Sequence, residues 1–242
     1  MKQQGRAVRG APLSDTVMTY QLRSDHSFCL VDGHAVLLDL TGDRYFRLSP
    51  ALERVFVAYL MEGAACHEDD LRHLVSLGIF VDAEQTERLD RIDPTPPRRS
   101  ALEQAPWTAS TALSDQLRIL ALVVRVQIAL KTSALVNILH AVSTERALQT
   151  RDAGSHEGVD DAPLLKAAGI FASARLAVPV ETCCLLDSLS LLRFLSGRGL
   201  FARLVIGVTG SPFSAHCWVQ AGDLVLNDTV GHAMAHTPIR VI

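Results

Sequence analysis

The chain of 242 residues carries 23 Lys and Arg against 26 Asp and Glu, a formal net charge of −3, and is 48% hydrophobic and 20% charged. That apolar share supports a real core and excludes wholesale disorder, and the length suits one large domain or two small ones. The first 100 residues hold 12 basic and 15 acidic side chains and the remainder 11 of each, so no part has the positive excess of a nucleic-acid binder.

The N-terminal residues contain no apolar run of the kind a secretory signal needs. The most apolar stretch, 117–130, is interrupted by Arg118, Arg125 and Gln127, short of the roughly 18 clean apolar residues that cross a bilayer. No membrane association is expected. Five cysteines, an odd count without framework spacing, fit a reducing compartment, and the cytoplasm is the expected location.

In chain order, residues 27–48 form three short apolar, β-branched or aromatic runs separated by Asp32-Gly33 and Thr41-Gly42-Asp43. Those separators are turn chemistry, which predicts a three-stranded meander. Ser49 as N-cap and Pro50 in the first turn open a helix with Leu52, Val55, Phe56, Tyr59 and Leu60 at helical spacing. A second helix over about 68–77 stops at Gly78, and Ile79, Phe80 and Val81 close a βββαα unit. Residues 91–112, with Pro94, Pro96, Pro97 and Pro106, read as a semi-rigid linker. The expected division is a tail over 1–14, a small domain over 15–93, a linker over 94–112 and a larger domain over 113–242. The last begins with two helices across 113–148, a polar loop over 151–162 and a helix over 163–178. It then turns to helix, strand, strand.

The chemistry concentrates after Glu181. With Thr182 as N-cap, Cys183 and Cys184 fall in the first helical turn, where free N–H groups and the helix dipole favour a thiolate. Leu185, Leu189 and Leu192 share a core face, and Cys184 is expected on a more polar edge with Asp187, Ser188 and Leu191. The alternating run Ala215-His216-Cys217-Trp218-Val219 reads as a strand with His216 and Trp218 on one side and Cys217 on the other. A hairpin through Ala221-Gly222 brings Asp228 back toward His216. Thiol, imidazole and carboxylate in that order satisfy the logic of nucleophile, base and orienting group, so Cys184, His216 and Asp228 are the expected catalytic residues. His232 and His236 have a spacing that zinc sites use, but lack the accompanying Glu and a third ligand, and are expected to be structural or surface residues. No metal or cofactor is expected, and no Gly-rich phosphate loop is present.

Cys184-Leu185-x-x-Ser188-Leu189-x-Leu191, Gly199, Leu204-Val205-Ile206-Gly207-Val208, Phe213-x-Ala215-His216-x-Trp218-Val219 and Asp228 together resemble the B protein of lasso-peptide biosynthesis. These are leader peptidases of the transglutaminase-like, papain-related cysteine protease superfamily. The resemblance covers roughly 113–242. Residues 15 to about 90 are similar to the small winged-helix, PqqD-type recognition domain that such systems use. The resemblance implies an α+β chain: a winged-helix-like (βββαα) domain followed by a papain/transglutaminase-like cysteine protease domain. It further implies a precursor leader peptide as substrate, and a separate lasso cyclase of asparagine-synthetase type as partner.

Two departures stand out, Cys217 where the family commonly has Ala and Cys183 where a basic residue often precedes the nucleophile. Neither is expected to touch the triad. For leader recognition, the third run of the meander is the candidate edge strand. Arg44, Tyr45, Phe46, Arg47 and Leu48 would form one wall of a groove, and Leu71 and Leu74 of the second helix, over about 68–77, the other. The competing expectations are an acyltransferase on the same triad and a non-enzymatic peptide-binding module.

Overall fold

The computed structural model describes residues 20–83, 94–104, 111–152 and 161–242. The expected tail over 1–14 lies outside them, as do residues 105–110 of the linker and 153–160 of the polar loop.

The N-terminal part comprises β1 (Tyr20–Leu22), β2 (His26–Val31), β3 (His34–Asp39), β4 (Arg44–Phe46), α1 (Pro50–Met61), α2 (Glu68–Ser76) and β5 (Phe80–Asp82). Strands β2, β3 and β4 make the antiparallel meander, with Val31 opposite His34 across a two-residue turn. Asp32 and Gly33 both take positive φ there, the backbone that a tight hairpin matched to strand twist requires. Ser49 occupies the N-cap of α1 and Pro50 its first turn, where a missing N–H costs no bond. Residues 80–82 pair with β1 in a separate two-stranded ribbon, which extends the expected βββαα order at both ends.

The C-terminal part comprises β6 (Arg99–Ser100), α3 (Ala101–Gln104), α4 (Leu113–Thr132), α5 (Leu135–Asp152), α6 (Ala162–Arg175), α7 (Cys184–Ser196), β7 (Arg203–Thr209), β8 (Ser214–Ala221), β9 (Leu224–Val225), α8 (Val230–Met234) and β10 (Thr237–Val241). Five strands form one sheet in the order β10-β7-β8-β9-β6, antiparallel except for the β6–β9 pair. Helix α7 packs on β8 and is flanked by α4 and α6. The chain is therefore α+β.

The linker expectation needs correction over 99–104. Arg99 pairs with Asp223 and Asp161, each at 2.5 Å, while Ser100 and Ala101 are buried. A two-residue edge strand leaves no periodicity to read, and it lies between Pro97 and Pro106, two of the prolines that suggested a linker.

The core also differs from two separately folded domains. Phe28, Ala35 and Leu37 on one face of the meander pack with Phe56, Leu71, Leu74 and Phe80. On the opposite face, Cys29, Val31, Val36, Leu38 and Leu40 join one cluster with Ile119, Val123, Leu189, Phe194, Val208 and Val219 of the C-terminal part. Period-two alternation thus feeds two cores from one sheet. The two parts share buried surface directly. Among the described residues, no helix is long and apolar enough to cross a membrane.

Candidate active site

Helix α7 begins one residue later than the sequence suggested. Cys183, in extended conformation, is the N-cap, and Cys184 is the first helical residue. A backbone bond from Asp187 N–H to the Cys183 carbonyl at 2.9 Å opens the helix. No side chain caps it. The segment leading in is held by a buried guanidinium: Arg175 bonds Asp187 at 2.6 Å and donates to the carbonyls of Val178 at 3.3 Å and Glu181 at 3.1 Å. Burial raises the Asp187 carboxyl above its ordinary range despite that pairing.

The expected polar edge beside Cys184 is absent. Ser188 and Leu191 are fully buried, because α7 is enclosed by β8 and its flanking helices beyond its first turn. Cys184 is half-buried at the open N-terminal end, where the free N–H groups of a helix start lie.

Three groups converge on its sulfur. The Cys217 side chain, the His216 imidazole and the Cys217 backbone N–H lie beside it and outweigh burial, so that together they hold the thiol down to about 4. The Cys217 thiol, which donates to Ser188 Oγ at 4.0 Å, is driven strongly up by the neighbouring Cys184 and by burial and stays protonated. Cys217 therefore acts on Cys184, contrary to expectation. Alternation along a strand separates its side chain from His216 but places no limit on what a neighbouring helix start can reach. Cys183 is exposed.

His216 Nε2 lies 2.6 Å from Asp228 Oδ2. That leaves Nδ1 as the ring nitrogen free to serve the thiol. Burial lowers the imidazole's proton affinity, but bonds to Asp228 and Cys184 outweigh it and raise the group to about 9. Burial likewise opposes ionisation of Asp228, and bonds from His216, the Thr229 backbone N–H and His232 bring its carboxyl below the ordinary range. The arrangement favours a thiolate–imidazolium pair across neutral pH.

Short bonds around this group fix it. Leu226 N–H donates to the Val219 carbonyl at 2.8 Å, and Asn227 Oδ1 accepts from Val219 N–H at 2.7 Å, so the chain after β9 runs on beside β8. Asn227 Nδ2 donates to Ser188 Oγ at 2.9 Å, tying that segment to α7. Ser100 Oγ donates to the Asp228 carbonyl at 2.6 Å. Trp218 is buried, with Nε1–H donated to Gln220 at 2.8 Å. Gly207 lies opposite His216, and a Cβ there would sit 2.9 Å from both Trp218 Cζ3 and His236 Cβ. Only glycine leaves that space.

Sequence reasoning missed His232. Its Nδ1 is 2.9 Å from Asp228 Oδ2, and its ring centroid is 4.3 Å from that of His216. The spacing of four from Asp228, on a short helix too brief to show periodicity, was the available signal. His216, Asp228 and His232 offer donor atoms within 4.8 Å of one another, a set that could also hold a divalent metal.

Of the residues expected to bind substrate, Arg44, Tyr45 and Phe46 lie on β4, a terminal strand of its sheet. Arg44 pairs with Asp39 at 3.1 Å. Tyr45 turns toward the C-terminal part, its ring 5.4 Å from Phe213 on the β7–β8 connection, and burial pushes its hydroxyl up to about 12. Phe46 and Leu48 pack on the N-terminal core, and Arg47 is exposed. Leu71 and Leu74 do not line a groove. They are buried in that core, because the apolar stripe of α2 faces the sheet.

Residues 120–241, half of the chain, match the family described as the transglutaminase-like superfamily. The chain belongs to that superfamily, whose members are cysteine-protease-like enzymes. Over 45 residues it is 49% identical to the microcin J25-processing protein McjB of Escherichia coli. That match covers 19% of this chain and 22% of the relative, so it spans about a fifth of the length of the curated protein. No solved structure matches.

Proposed function

We propose that the protein is a cytoplasmic cysteine peptidase that recognises a ribosomally made lasso-peptide precursor and removes its leader. The observation that carries this reading is the convergence of Cys184, His216 and Asp228, with the thiol held at about 4 and the imidazole raised to about 9. The Cys184 thiolate attacks the scissile carbonyl, and the Cys184 backbone N–H at the helix start offers one donor to the oxyanion. His216 then gives the Nδ1 proton to the departing core amine and, once neutral, activates the water that hydrolyses the leader thioester. Asp228 holds Nε2–H throughout. The freed amine is the group that a separate cyclase of asparagine-synthetase type would join to a side-chain carboxyl.

In this reading residues 15–93 act as a PqqD-like recognition unit. The free edge of β4 offers backbone N–H and C=O groups to an extended leader, and Tyr45 leads from that edge toward the catalytic part. Arg44 and Arg47 stay exposed beside it.

Superfamily membership also supports an acyltransferase that passes the same thioester to an amine. Incubating the full chain with its precursor peptide, with and without the cyclase, and recording intact masses separates these readings. A leader acid plus free core is expected. A leader amide would establish transfer, and an uncut precursor under both conditions would remove the peptidase reading.

A further inference from the structure

Nothing in the proposed chemistry uses His232, yet both its backbone and its partly exposed ring are tied into the site. Thr229 Oγ1 accepts the His232 backbone N–H at 3.2 Å, and the His232 carbonyl accepts from Nδ1–H of buried His236 at 3.0 Å. Its own Nδ1 meets both oxygens of Asp228, Oδ2 at 2.9 Å and Oδ1 at 3.1 Å. A carboxylate only accepts, so Nδ1 of His232 carries the proton and donates.

Asp228 therefore receives three donors. Nε2 of His216 takes Oδ2 at 2.6 Å, the Thr229 backbone N–H takes Oδ1 at 2.7 Å, and His232 bridges the two oxygens. With the Thr229 bond alone, the carboxylate could pivot about Oδ1 and swing Oδ2 away from His216. The bridging imidazole closes that freedom.

We infer that His232 is a positioning residue of the site: by bridging the Asp228 carboxylate it fixes the plane of His216 and keeps Nδ1 aimed at Cys184. The inference rests on the Cys184–His216–Asp228 reading and not on the identity of the substrate.

The test uses no substrate. The full-length protein is alkylated with iodoacetamide at about pH 4.5, on the acid limb of the Cys184 thiolate, and modification of Cys184 is followed by peptide mass, with the melting temperature at that pH as a folding control. His232→Ala should slow Cys184 alkylation about three- to ten-fold there, because a less well aligned imidazolium holds less of the thiol ionised, and should leave the rate at pH 7 within about two-fold of wild type. In His232→Asn the amide nitrogen takes the place of Nδ1 and should restore the rate to within about two-fold, whereas His232→Gln, which reaches too far, should not. In an Asp228→Asn background His232→Ala should add nothing, since its effect runs through that carboxylate. A wild-type rate in His232→Ala, equal loss in the Ala and Asn variants, or additive loss with Asp228→Asn would overturn the assignment. Wild-type Cys184 reacting no faster than exposed Cys183 would instead bring down the triad itself, while an uncut precursor would leave these rates untouched.

Discussion

The hairpins β2–β3 and β7–β8 are built alike and do different work. Both are antiparallel and alternate strictly, but the side chains of β2–β3 feed apolar clusters on both faces. In β7–β8 one face, with Leu204, Ile206, Val208, Cys217 and Val219, joins the main core, while Val205 and Trp218 pack in a small cluster on the other. Burial also changes along β8, from exposed Ser214 and Ala215 through half-buried His216 to buried Cys217 and Trp218. A strand whose alternate residues enter two large cores supplies stability. One that passes from solvent to core in three residues creates a place where charges form and are still shielded enough to shift each other.

The largest effects should come from breaking the graded strand. Cys184→Ala and His216→Ala should each lower precursor cleavage by at least about four orders of magnitude, because nucleophile and base act as a unit. Asp228→Asn should cost less, about a hundred-fold, since it orients without reacting. Precursor affinity measured by calorimetry should be unchanged in Cys184→Ala. Full turnover by Asp228→Asn would remove that residue from the mechanism.

The sheet that feeds two cores is tested by stability. Leu38→Ala, at a site packed against the C-terminal core, should destabilise the protein by about 2–5 kcal/mol. Because the meander contributes to both cores, unfolding followed by tryptophan fluorescence and by far-ultraviolet circular dichroism should remain coincident and shift together. A fluorescence transition that stays in place while the dichroism moves would show that the two parts fold independently.

The same contrast explains what could be read in advance. The meander, the N-cap of α1 and the ends of α2 were legible because turn residues and periodicity are local signals. The order of Cys184, His216 and Asp228 was legible because a hairpin of known length fixes where its ends meet. The buried pairing of β6 was not, since two residues carry no period. The burial of Leu71 and Leu74 was misassigned because an apolar stripe looks the same whether it lines a groove or closes a core. The Cys217–Cys184 contact and the bridge from His232 arise between elements distant in sequence or too short to pattern, and only their packing reveals them.

The smallest effect expected is at Cys217, and it is a shift of profile rather than a loss. Cleavage needs a Cys184 thiolate together with a His216 imidazolium, so it should be flat between about pH 4 and about pH 9. Below that window the thiolate gains a proton, and above it the imidazolium loses the one the leaving amine requires. Alkylation needs only the thiolate, so it should fall on the acid side alone. Cys217→Ala removes the thiol that helps hold the Cys184 sulfur ionised but keeps the backbone N–H and His216, so the acid limb should move upward from about 4 with the alkaline limb in place. At pH 7 the rate should stay within about two-fold of wild type, as the remaining donors still hold most of the thiol ionised. Cys217→Ser, which keeps an O–H donor, should hold the acid limb near its wild-type position, and Cys183→Ala should move neither limb. An acid limb unmoved in Cys217→Ala would mean that the His216 imidazolium and the helix start suffice to hold the thiolate, and that the second thiol merely fills space behind it.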